Sequence, residues 1–218
     1  MDTLALLQVA ATGEPTQRAE ACADLTNGDC HYLPLVQSLA TPHQDTRLTF
    51  WALFLLVNYF PLQLQRDANY VIPYLLTALA TGDGPVTDRA AWALSLTGQS
   101  GVEALLAAIA SSPDATVATH YTAALRRNTS LWQLAPQVLP LLHRQLDSKN
   151  EQVRYWALVV LMDISPLRPW FDSRIPVELF ESVYSKLLRV SQEFIANGDK
   201  AFDFATRYEE LLLRHLAN

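Results

Sequence analysis

Trp51-Ala52-Leu53, Trp92-Ala93-Leu94 and Trp156-Ala157-Leu158 are three copies of one tripeptide, and Ala123-Ala124-Leu125 is related to them. Each copy lies in an apolar run that follows a polar turn: HQDTR before Trp51, GPVTDR before Trp92, SPDATVA before Ala123 and SKNEQVR before Trp156. Upstream of each turn is another apolar run: PLVQSLA from Pro34, PYLLTALA from Pro73, VEALLAAIA from Val102 and PLLHRQLD from Pro140. The recurring unit is therefore helix, polar turn, helix. One such hairpin cannot bury its apolar face, whereas stacked hairpins share a continuous core.

The helical reading follows from spacing. With Arg18, Arg47, Arg89, Ala118 and Arg154 as anchors, residues three, four and seven positions later are small or apolar and fall on one helix face. These are Ala21, Cys22 and Leu25; Phe50, Trp51 and Phe54; Trp92, Ala93 and Leu96; Tyr121, Thr122 and Leu125; Ala157, Leu158 and Leu161. The anchors are separated by 29, 42, 29 and 36 residues, an uneven series. Ser148 with Glu151 reads as a capping box, Asp45 as an N-cap, and Asp83-Gly84-Pro85 as a turn. Pro34, Pro73 and Pro140 recur at matching places, in a first turn or at a kink.

Asn150-Glu151-Gln152-Val153-Arg154, followed by Ala157, Leu158 and Leu161, resembles the second helix of a HEAT repeat. Arg89 with Trp92, Ala93 and Leu96 is similar, and so is Arg47 with its larger side chains. The resemblance covers residues 3 to 165. It implies an all-α solenoid of about five stacked helix pairs with a C-terminal capping helix pair. Residues 1–165 are expected to form the stack and residues 166–218 a helical cap continuous with it. The cap is expected to hold helices over 177–196 and 200–217, divided by Asn197-Gly198-Asp199, with Gly198 at a helix C-terminus.

Composition bounds the function. Half the residues are hydrophobic, which suffices for a core, and the formal net charge is −6. Phosphate binding calls for a basic excess, so nucleic acid is disfavoured and a protein partner with a basic surface fits better. Arg outnumbers Lys, whose only instances are Lys149, Lys186 and Lys200. Two cysteines, Cys22 and Cys30, make neither a disulfide framework nor a four-ligand zinc site. Cys30-His31 would need further ligands. Met1-Asp2 opens without a basic region, which reads as cytoplasmic, and Asn128-Thr129-Ser130 is then a chance sequon. The uncharged stretch from Leu48 to Leu64 is interrupted by Asn58 and Pro61, and reads as a buried helix followed by a loop.

No phosphate loop, zinc-protease or nucleophile-elbow motif is present, and no cofactor is implied. Arg47, Arg89 and Arg154 are expected to join acidic or carbonyl groups between repeats, with Asp45, Asp88 and Glu151 close in sequence. Positions two, five and nine after each anchor should face away from the core. That set is Glu20, Ala23 and Asn27; Thr49, Ala52 and Leu56; Ala91, Leu94 and Gly98; His120, Ala123 and Arg127; Trp156, Val159 and Asp163. From it Glu20, Thr49, His120, Arg127, Trp156 and Asp163 are candidate binding residues on a concave face, with Trp156 and Arg127 as anchors. The expected function is a non-enzymatic protein-interaction module, serving assembly, chaperoning or toxin neutralisation. Resemblance to HEAT-like proteins leaves a DNA glycosylase or a chromophore-lyase subunit as the alternative.

Overall fold

The computed structural model describes residues 2–40, 46–166 and 175–198. Among these residues every regular element is helical. Five hairpins follow one another: α1 (Thr3–Thr12) with α2 (Pro15–Thr26), α3 (Tyr32–Ser38) with α4 (Thr46–Tyr59), and, after the short α5 (Pro61–Arg66), α6 (Ala68–Thr81) with α7 (Gly84–Leu96). Next come α8 (Gln99–Ser111) with α9 (Ala115–Leu125) and α10 (Ala135–Gln145) with α11 (Glu151–Ile164). A long α12 (Val177–Ala196) then packs against α10 and α11. The second helices α4, α7, α9 and α11 lie side by side in one row, and α3, α6, α8, α10 and α12 form the other. This is an all-α solenoid. The second capping helix expected over 200–217, and the Asp45 cap, lie outside the described residues.

The uneven anchor spacing has a structural cause. The longest step, 42 residues, contains the extra helix α5 before α6. A 3-10 turn, Leu131–Leu134, precedes α10 in the 36-residue step, and another, Asp29–His31, precedes α3. The hairpin α8–α9 has no such lead-in: Gly98, at φ +66, turns the chain directly into α8. That left-handed conformation suits glycine.

Helix starts are defined by side chains. Asp83 accepts from the Val86 N–H, Asp114 from the N–H groups of Thr116 and Val117, and Asn150 from the Val153 N–H at 3.1 Å. The N-cap of α11 is thus Asn150 rather than Ser148, whose hydroxyl instead accepts from the Asn150 N–H. The capping box lies at α2, between Glu14 and Gln17. Pro34 sits in the first turn of α3, while Pro73 and Pro140 lie inside α6 and α10. Gly198 follows α12 at φ +87, as its sequence position suggests.

The tripeptide, rather than the arginine, marks the repeat register. Ala52-Leu53, Ala93-Leu94, Ala124-Leu125 and Ala157-Leu158 are all buried, and each such Leu stabilises the core by roughly 1.5–3 kcal/mol. The residue before each pair, Trp51, Trp92, Ala123 or Trp156, stays partly exposed. Counting from Arg47 and Arg89 therefore misplaces two repeats. Ala52, Leu56, Ala91 and Leu94, expected to face outward, are buried, and Trp92, expected in the core, is 38% exposed. Counting from Arg18, Ala118 and Arg154 places Glu20, Arg127 and the core residues Leu25, Leu125 and Leu158 correctly.

Buried polar groups tie neighbouring repeats. The Asn128 side chain is 5% exposed; its amide donates to Gly98 O at 3.1 Å and its oxygen accepts from Ser130 N–H at 2.9 Å. The sequon asparagine is thus a structural link between the α7–α8 turn and the turn after α9. Thr122 on α9 and Gln145 on α10 exchange hydrogen bonds at 2.8 and 3.2 Å. The stretch around Leu48 divides into α4 and α5, and among the described residues no helix is long and apolar enough to cross a membrane.

Candidate binding groove

An open groove of about 720 Å³ crosses the second-helix row at α7, α9 and α11. Its walls come from the equivalent positions of three consecutive repeats: Trp92, Ala123 and Trp156. Where the flanking repeats carry an indole, the middle one carries a methyl group. Both tryptophans and the smaller Ala123 line the groove. Thr87, Asp88 and Ser95 line the α7 side, and Thr119 and His120 the α9 side.

The polar groups here have defined roles. His120 Nδ1 lies 3.1 Å from Leu79 O, and a carbonyl only accepts, so Nδ1 carries the proton and Nε2 of the neutral ring is an acceptor. Ser95 donates its hydroxyl proton to Trp92 O at 2.6 Å, and Thr87 donates to Gly84 O at 2.9 Å. Both oxygens keep acceptor capacity.

Arg126 and Arg127, at the C-terminal end of α9, reach in opposite directions. Arg127 pairs with Asp88 on α7, and Arg126 pairs with Asp163 on α11. These rungs join three repeats across the groove. Each is a partly exposed pair of modest worth, on the order of 0–1 kcal/mol.

Of the six candidate residues, His120, Arg127 and Trp156 line this groove, and Asp163 adjoins it through Arg126. Glu20 lies apart, in a shallow depression between α1 and α2, and Thr49 is half-buried on α4. Trp92, Asp88 and Arg126 are groove residues that counting from the arginines passed over. Aligning the tripeptides would have found Trp92, since it puts Trp92, Ala123 and Trp156 in one register.

Arg18, Arg89 and Arg154 each lie over an aromatic ring. Arg89 lies 5.7, 5.6 and 5.2 Å from the ring centres of Phe50, Phe54 and Trp92, and Arg18 lies 5.4 Å from Trp51. Asp88, next in sequence to Arg89, goes to Arg127 instead. Arg154 does meet a carbonyl, donating to Ser148 O at 3.0 Å, and also lies 5.9 Å from the Phe194 ring.

No family model and no curated protein matches the chain. Among solved structures it is similar to a computationally designed armadillo repeat protein for modular peptide recognition. The TM-score is 0.50 at 14% identity, over 94% of this chain and 97% of that one. The likeness is one of fold, and it agrees with the helical-repeat solenoid described above.

Proposed function

We propose that the protein is a non-enzymatic recognition module that takes an extended segment of another protein into the groove across α7, α9 and α11. One observation carries this reading: Ala123 stands between Trp92 and Trp156 at the position where its neighbours have indoles. Two aromatic walls with a gap between them provide apolar contact at low entropic cost, and tryptophan is enriched among binding hot spots. Ser95, Thr87 and His120 supply acceptors for the amides of an extended chain. The designed armadillo repeat protein, made for peptide recognition, supports the same use of a helical-repeat surface. The repeats here combine plain two-helix hairpins with units led by an extra short helix or 3-10 turn.

The DNA-glycosylase alternative loses support because two guanidiniums beside Asp88, on a chain of formal charge −6, make too little positive surface for a phosphate backbone. A tetrapyrrole would favour a deep apolar cavity, whereas this groove is open and partly polar.

The test is panning of a random peptide library against the full chain and its Ala123→Trp variant. Peptides should enrich on the native chain and be lost on the variant, whose added indole fills the gap. Equal recovery on both would place binding elsewhere.

A further inference from the structure

We infer that the groove selects an acidic side chain next to an aromatic or aliphatic one, the opposite of the basic partner that the overall charge suggests. The inference rests on the peptide reading above and specifies its ligand.

The charge of −6 belongs to the whole surface, but a ligand meets the local charges. Arg126, Arg127 and Asp88 are the charged residues lining the groove, two guanidiniums against one carboxylate. The other carboxylate, Asp163, lies outside the lining, with its side chain 13% exposed.

Pairing leaves most of the donor capacity open. Arg126 uses Nε toward Asp163, and Arg127 uses Nη2 toward Asp88. A guanidinium has five N–H donors. Among the described residues no other group takes the remainder, and the two side chains are 51% and 44% exposed.

An incoming Glu or Asp would accept charge-assisted hydrogen bonds from the open N–H groups of Arg127 or Arg126 without breaking either rung. A Lys or Arg would find only the remaining oxygen of Asp88 as a charged acceptor and would face two like charges. The neighbouring ligand residue would lie against Trp92 and Trp156, and the acceptors on Ser95, Thr87 and His120 would take backbone N–H groups.

The experiment pans three peptide libraries, with a central Phe-Glu, Phe-Gln or Phe-Lys, against the native chain, and then measures the enriched peptides on variants. Enrichment from the Phe-Glu pool is expected. Asp88→Asn, at a side chain 49% exposed, frees Arg127 and should tighten the acidic peptide by roughly two- to fivefold. Arg127→Gln should weaken it, and Ala123→Trp should abolish binding. Enrichment from the Phe-Lys or Phe-Gln pool equal to that from Phe-Glu, or weaker binding by Asp88→Asn, overturns the charge assignment and leaves the peptide reading standing. Displacement of the enriched peptide by a short DNA duplex assigns the arginines to phosphate and also overturns it. Enrichment from none of the pools, or full binding by Ala123→Trp, removes both readings.

Discussion

The guanidinium of Arg89, on α7, lies 5.6 Å from the ring centre of Phe54, on α4. The same cation lies near Phe50 and Trp92, so one side chain links two repeats through three rings. Arg89→Gln should destabilise the fold by about 1–2 kcal/mol, from lost cation–π contact and lost packing of the stem. Arg89→Lys should fall between, because an ammonium keeps the charge and loses the planar stacking. Urea melts of the three proteins check this, and equal midpoints would show that the stacking contributes nothing.

Asn128 predicts a larger effect from a smaller change. Its side chain is buried and satisfies both Gly98 O and Ser130 N–H. Asn128→Ala leaves those groups without their partner and should cost about 1–3 kcal/mol. Gly101→Ala should be harmful by a different route, since an added Cβ would stand 2.4 Å from both Leu94 O and Thr97 Oγ1. Calorimetry on the two variants tests the cluster, and an unchanged melting temperature for Asn128→Ala would refute its linking role.

The hairpins were legible because burial repeats with the sequence: every Ala-Leu pair of the tripeptide is core. The register was less legible because the arginines are not fixed points of the helix. Arg47 precedes Trp51 by four positions, Arg89 precedes Trp92 by three and Arg154 precedes Trp156 by two, and the long side chains of Arg18 and Arg89 reach rings on the neighbouring repeat. The lead-in helix α5 and the two 3-10 turns are too short to show a helical period. Half of the groove was readable, through His120, Arg127 and Trp156. The remainder depends on pairs such as Asp88 with Arg127, distant in the chain, and nothing in the local pattern announces them. Glu20 and Thr49 share the offset of the other candidates, but they lie on α2 and α4, outside the groove lining.

Trp156 and Leu158 should separate recognition from stability. Leu158 has no exposed surface, and Leu158→Ala should cost about 2–5 kcal/mol. Trp156 is half-buried and sits edge-on to Tyr155 at 5.4 Å, so Trp156→Ala should cost about 1 kcal/mol while removing a groove wall. Thermal melts and binding of a panned peptide should therefore rank the two variants in opposite orders. A Trp156→Ala protein as unstable as Leu158→Ala would make the indole a core residue.

The cysteines should differ in reactivity. Cys30 is exposed, whereas Cys22 is half-buried on α2, where burial pushes its thiol up despite the charge of Arg18. Since the thiolate is the nucleophile, Cys30 should be alkylated first at mildly alkaline pH. Peptide mapping over a time course with iodoacetamide reads the order directly, and faster labelling of Cys22 would contradict the packing of α2.

Acid should loosen α12 from the stack. Lys186 on α12 donates to Asp147 at 2.5 Å, just beyond the end of α10, and also to His143 O at 3.3 Å. The hydrogen bond from Lys186 chiefly holds the Asp147 carboxyl below its ordinary value of 3.8; the charges of Lys186, His143 and Arg189 add to this, against the opposing effect of desolvation. A carboxyl with a depressed folded value binds its proton more weakly folded than unfolded. Its contribution is therefore complete above the unfolded value and disappears as pH falls through the folded one, below 3.8. Lys186→Met should lower the protection of α12 amides near neutral pH, and the gap from the native protein should close in that acid range. Hydrogen exchange across a pH series measures it. A gap that persisted after Asp147 is protonated would mean that Lys186 holds α12 through its stem and the His143 carbonyl rather than through the ion pair.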